Sequence, residues 1–157
     1  MAILKYLARK HASGKLIAND SDGIAAQAVE EMLEGQILDI RNRLIITLYE
    51  KNCPTDEAFE EQLELTRQSL ALSLAQLEHW LGEKQWLTGE RLSYVDFLAY
   101  EYLDWYRCFV QVDCFEKFPF MSGYMSRFEE LPSLREYLAS EQRKNGHCLS
   151  PFAKLGY

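Results

Sequence analysis

The side chains here best suited to nucleophilic or metal chemistry are three histidines and four cysteines, and their spacing assembles neither kind of site. His11, His79 and His147 stand without a Ser, Cys or carboxylate arrangement that would make a nucleophile–base pair. There is no Gly-x-Ser-x-Gly elbow and no phosphate-cradling glycine loop. Cys53, Cys108, Cys114 and Cys148 contain no Cys-x-x-Cys pair, and although His147 and Cys148 are adjacent, the spacings match no zinc motif, so no metal site is expected. Reduced structural thiols fit a reducing compartment. Asp104 falls inside an apolar run, where an unpaired carboxylate is costly, so a partner such as Arg107 is expected rather than acid catalysis. From helical spacing alone, Asp39 reads as an exposed ion pair with Arg43 at i+4. Ser93-x-x-Asp96 has the spacing of a capping box, with Asp in place of the usual Glu, and this reading is structural.

The elements that carry these residues read as helices. At 157 residues, 48% of them hydrophobic, the chain can close one core without staples. No Asn-Gly or Asp-Gly pair sits between alternating apolar runs as a hairpin would require. Ile3, Leu4, Leu7 and Ala8 against Lys5, Arg9 and Lys10 describe about three amphipathic turns with no start signal before them. Asn19, Asp20, Ser21, Asp22 and Gly23 form a polar linker that offers N-cap candidates. Ile24, Val29, Met32, Leu33, Ile37, Ile40, Leu44, Ile45 and Leu48 then recur every three or four residues in one long helix. Thr55 or Asp56 caps a second, striped by Phe59, Leu63, Leu70, Leu74, Leu77 and Leu81 and stopped at Gly82. Two long helices with a short join must lie antiparallel. From Ser93 to Val110 the pattern is apolar on every side, which marks a central, buried helix. Two shorter helices follow, over 119–131 and 132–142.

Charge and hydropathy exclude other partners. A net charge of -7 comes with no basic stretch beyond the short face of Lys5, Arg9, Lys10 and His11, so nucleic acid is not an expected partner. The longest apolar run is well short of the roughly 18 to 20 residues that span a bilayer, so no membrane association is expected, and the setting is read as cytoplasmic.

The capping box is common alone; its company is specific. Leu87-Thr88-Gly89 precedes it, Val95-Asp96-Phe97-Leu98-Ala99-Tyr100 contains it, and Met125-Ser126-Arg127-Phe128-Glu129 with Leu131-Pro132 follows. With these, the sequence resembles the all-α C-terminal domain of cytosolic glutathione transferases. Residues 2–11 and Leu38-Asp39-Ile40-Arg41 are similar to the mu class in particular. The resemblance covers the whole chain and is weakest over 53–80. It divides the chain into a remnant last helix of a thioredoxin-like domain, 1–12, and the C-terminal helical domain, 13–157.

That resemblance implies a complete protein that conjugates glutathione, as co-substrate, to small hydrophobic electrophiles, without a cofactor and as a homodimer. The tyrosine that activates the thiol belongs to the family's first domain, so no catalytic residue is expected in this chain and it alone should be inactive. Asp39 matches the carboxylate that reaches across the dimer to the glutathione ammonium. Tyr49 matches the phenol of the electrophile pocket, an oxyanion-hole type of role, and Leu38, Asn42 and Ile46 match its wall. Phe152 matches a pocket-closing aromatic. Asn42 is more polar than the apolar residue usual in mu enzymes, which puts their aromatic-electrophile preference in doubt. A non-catalytic helical module for protein association is the alternative reading, since this fold also serves that use.

Overall fold

The structure, a computed structural model, describes residues 1–49, 55–110 and 115–144. The described residues form α1 (Ala2–Lys10), α2 (Ile24–Leu48), α3 (Asp56–Leu81), α4 (Tyr94–Val110), α5 (Pro119–Glu129), α6 (Pro132–Ala139) and α7 (Glu141–Lys144). Beyond the helices they contain one isolated antiparallel bridge, Trp86 to Gly89. The all-α expectation therefore stands. Helix α2 packs on α3 and α4, α3 on α5, and α1 on α4, with α6 and α7 following on α5.

The long pair is antiparallel, as its side-chain partners show: Gln36 donates to Gln76 at 3.2 Å, Arg43 to Ser69, and the Thr47 and Thr66 hydroxyls lie 2.6 Å apart in the buried interface. Thr55 is the cap of α3, its hydroxyl accepting the Ala58 amide at 3.2 Å, and the whole expected stripe of α3 is buried. On α2 the core stripe is Leu33, Ile37, Ile40, Leu44 and Leu48, whereas Ile24 and Met32 of the same recurrence are exposed. Steps of three and four residues fitted two adjacent apolar faces at once. Composition could not separate them.

The segment between α1 and α2 departs most from expectation. Its polar residues cap each other rather than α2: the Asp22 carboxylate takes the Asn19 amide and the Asn19 side chain takes the Ser21 amide, both at 2.9 Å, while Gly23 (φ 85°) starts the helix without a side-chain cap. Ile17 and Ala18 are buried. Glu30 accepts the Ala18 amide at 2.9 Å, and the Tyr94 amide donates to the Leu16 carbonyl at 2.7 Å. What reads as a loose linker is a strap pinned to α2 and α4.

Helix α4 is buried around its first turns and half-exposed at Glu101, Tyr102, Asp104, Trp105 and Arg107, so burial on every side holds only for its N-terminal part. Polar residues in an otherwise aromatic run account for the difference. At its start, Asp96 accepts the Ser93 amide at 2.8 Å, and the Ser93 hydroxyl accepts the Val95 amide at 3.2 Å. Asp96 also takes the Leu87 amide at 3.0 Å and the Tyr124 hydroxyl at 3.2 Å, so the box ties the preceding loop and α5 as well. Helix α5 has Pro119 in its first turn and no cap of its own. Glu78 of α3 supplies one, accepting the Phe120 and Met121 amides at 3.0 and 2.8 Å where the helix dipole favours a carboxylate.

Burial pushes the Asp96 carboxyl up from its ordinary 3.8 to about 6, despite donors from Leu87, Ser93 and Tyr124 that oppose the rise. A folded value above the unfolded one means that the folded state holds the proton more tightly. The stabilisation is full below about pH 4 and is lost as pH rises through about 6. In urea melts at several pH values, the stability of the wild type relative to Asp96→Asn should fall between pH 4 and 7, by on the order of 2 to 3 kcal/mol. A difference that is flat or rises with pH over that window contradicts the assignment.

Candidate functional site

Helix α2 carries four of the six sequence-predicted ligand-site residues and ends at a fifth, Tyr49, because it is long enough to serve the core on one side and something else on the other. Met32, Gln36, Asp39, Arg43 and Ile46 follow one another at four- and three-residue steps and so form one stripe. Leu38, Asn42 and Tyr49 form the next stripe, with Tyr49 roughly 80° around the axis from Asp39 at 100° per residue. Leu38 and Tyr49 are half-buried; Asp39, Asn42 and Ile46 are exposed. Tyr49 is the C-terminal cap residue of α2, its amide donating to Ile45 at 3.0 Å. Phe152 lies outside the described residues.

Asp39 has no ion-pair partner among the described residues, because Arg43, the cation one turn on, turns to Ser69 of α3 instead. The stripe it belongs to continues onto α3. Gln36 and Arg43 bridge to Gln76 and Ser69, which alternate with Leu72 and Leu65. Met32 (51% exposed), Ile46 (60%), Leu65 (54%) and Leu72 (71%) thus form an exposed apolar face across two helices, with Asp39 in it.

The α2–α4 seam is held by Tyr106, whose buried hydroxyl donates to the Ile40 carbonyl at 2.8 Å, one residue from Asp39. Sequence reading gave this tyrosine no role. Beside it, Arg41 donates to the Asn42 side chain at 3.0 Å and lies 5.6 Å from the Tyr102 ring centre, and Tyr102 meets Trp105 edge-on at 5.2 Å. Asp104 pairs with Arg107 at 2.7 Å, as its burial required, and also with Arg143 of α7 at 2.6 Å. Arg107 reaches on to Glu129 of α5 at 2.6 Å. This network ties the C-terminal helices to α4.

A cleft of about 510 Å³ opens between α1, the strap and α2, lined by Lys5, Arg9, Glu30 and Tyr94 among others, and none of the predicted site residues borders it. Lys5 pairs with Glu34 at 2.8 Å, and the Tyr94 hydroxyl donates to the same carboxylate at 2.7 Å. Burial works against Glu34, yet the Lys5 and Tyr94 hydrogen bonds bring it below its ordinary value. Desolvation raises Glu30. Lone acidic residues on an amphipathic helix gave no signal of this cluster. Among the described residues no group of His, Cys, Asp and Glu could hold a metal ion, and no helix is long and apolar enough to cross a membrane.

Comparison with known proteins bears on this arrangement. The family described as glutathione S-transferase, C-terminal domain, matches residues 38–141. The chain is 33% identical to glutathione S-transferase B of Cavia porcellus over 97% of its own length and 64% of that protein's. It is 32% identical to glutathione S-transferase Mu 1 of Mus musculus, over 90% and 59%. It therefore spans about three fifths of these curated relatives. The crystal structure of the glutathione S-transferase Blo t 8 superposes with a TM-score of 0.89 at 51% identity, covering 99% of this chain and 69% of that one. A pi-class transferase of Onchocerca volvulus, at 22% identity and TM-score 0.77, shares the fold.

Because Asp39 is exposed and has no ion-pair partner among the described residues, Asp39→Asn should change unfolding free energy by less than about 0.5 kcal/mol. Chemical denaturation measures this, and a loss above about 1 kcal/mol would return Asp39 to a structural role.

Proposed function

Since this chain belongs to the glutathione S-transferase family, we propose that the whole protein is a mu-like glutathione transferase, joining glutathione to small hydrophobic electrophiles. The observation that carries the reading is the 51% identity to a solved transferase over 99% of the chain. The family match over 38–141 takes in Asp39, Asn42, Ile46, Tyr49 and the α4 capping box.

Conjugation needs a thiolate, and a free thiol near pKa ~8.5 is mostly protonated at neutral pH. A thioredoxin-like first domain, for which the relatives' greater length leaves room, would supply the hydroxyl that favours the thiolate. In this reading the sulfur attacks the electrophilic carbon, the leaving group departs with the bonding pair, and the thiol proton passes to solvent. The Tyr49 phenol donates to charge developing on the electrophile. Leu38, Asn42 and Ile46 form the wall beside it.

The protein acts as a homodimer in this proposal, and its interface is the two-helix face of Met32, Leu65 and Leu72, with Ile46 at the edge where that face meets the pocket wall. Exposed apolar residues clustered on two bridged helices are the kind of surface that a second copy covers. Asp39, set in that face, then meets the ammonium of glutathione bound mainly by the partner. Residues 1–12 belong with the first domain. Ile3, Tyr6 and Leu7 are exposed on α1, which suits a helix with a further neighbour.

The test is conjugation of glutathione to chlorodinitrobenzene, followed by release of chloride. The two-domain protein should be active and residues 1–157 alone inactive. Asp39→Ala should raise KM for glutathione about three- to tenfold with kcat nearly unchanged, and Tyr49→Phe should lower kcat by about tenfold. Strong retention of residues 1–157 alone on immobilised glutathione would contradict the division of labour.

A further inference from the structure

Arg41 differs from three cations held around α2 and α4. Lys5 is neutralised by Glu34, and Arg107 and Arg143 by Asp104. Arg41 is half-buried, yet among the described residues it has no carboxylate partner. Its hydrogen bond goes to the Asn42 side-chain oxygen at 3.0 Å, and its guanidinium lies 5.6 Å from the Tyr102 ring centre. The ring and the Asn42 oxygen hold the guanidinium at two points. A guanidinium carries five N–H donors, so most remain unspent. A guanidinium held in this way, without a counter-charge among the described residues, matches a carboxylate presented in its plane.

We propose, on the transferase reading above, that Arg41 makes the second-substrate wall an anion-accepting one, so that the favoured electrophiles are flat unsaturated molecules bearing a carboxylate. Arg41 lies one helical turn from Leu38 and beside Asn42, and Tyr102 and Trp105 add an aromatic surface on the α4 side. Asn42, with its oxygen committed to Arg41, turns from an odd polar residue in an apolar wall into the brace for that charge. The conjugation itself is unchanged: the thiolate forms a C–S bond at the carbon bearing chlorine, chloride leaves with the bonding pair, and the carboxylate takes no part.

A matched pair of probes separates charge from shape: a chlorodinitrobenzoate and its methyl ester, each assayed with the two-domain protein. The wild type should show the lower KM for the benzoate. Arg41→Gln, which removes the charge, should raise that KM about tenfold and change the ester's by less than about twofold; Arg41→Lys should keep part of the preference. Equal effects on both probes, or none on either, overturn the proposal. Binding of the same compounds, followed by quenching of tryptophan fluorescence, gives a readout without turnover. If neither probe is conjugated but the benzoate still binds better and loses that advantage in Arg41→Gln, the transferase reading fails and the anion site stands. If neither binds, or both bind alike, the anion site fails whatever the activity.

Discussion

A carboxylate taken out of water must find donors or give up its charge, and in this chain the most fully buried one, Asp96, sits where three segments meet. It receives the Leu87 amide from the loop behind α3, the Ser93 amide at the start of α4 and the Tyr124 hydroxyl from α5. The Ser93 amide closes a local turn, and the other two donors reach in from neighbouring segments. Together they fix where α4 begins, and α4 carries Tyr106, whose hydroxyl sets the height of α2 at Ile40. Asp39 and Arg41 are the residues on either side of Ile40. The position of the candidate site thus descends from a buried cap about 55 residues away in sequence, through one rigid helix.

Helix α2 bears the consequences on three of its sides. Its inner stripe is aliphatic and dry. Its outer stripe is apolar residues broken by Asp39 and two side chains that bridge to α3, and the stripe between them ends at Tyr49. A helix serving one environment would show one apolar arc. An apolar residue at nearly every third or fourth position is what serving several looks like, and it explains why Ile24 and Met32 read as core and are not.

The helical class, the long pair, the α3 stripe, its Thr55 cap and the α4 capping box were legible because each rests on spacing within one segment. What stayed hidden depends on residues far apart meeting. Glu78 capping α5, Glu30 pinning the strap and Arg43 leaving Asp39 for Ser69 all join elements across the fold. A carboxylate on an amphipathic helix looks the same in sequence whether it faces solvent or another helix's amides. The site was legible only through likeness to a family, since Asp39 and Tyr49 by themselves suggest a surface ion pair and a half-buried phenol.

The distribution of charge shows how the guanidinium that α2 sets against Tyr102 differs from the cations that are paired. In a chain with an excess of seven negative charges, a cation near a helix seam has carboxylates within reach. Lys5, Arg91, Arg107 and Arg143 each take one. Pairing recovers the Coulomb energy that partial burial makes larger than in water. Among the described residues Arg41 has instead an aromatic face and an amide oxygen, both weaker partners for a full charge. Such a cation is tolerated if its stem packs well and water reaches its head, but the same arrangement leaves attraction for an anion undischarged within the half-dry seam, beside the stripe that ends at Tyr49. On the proposal made for this residue, the charge is what the position contributes to whatever binds.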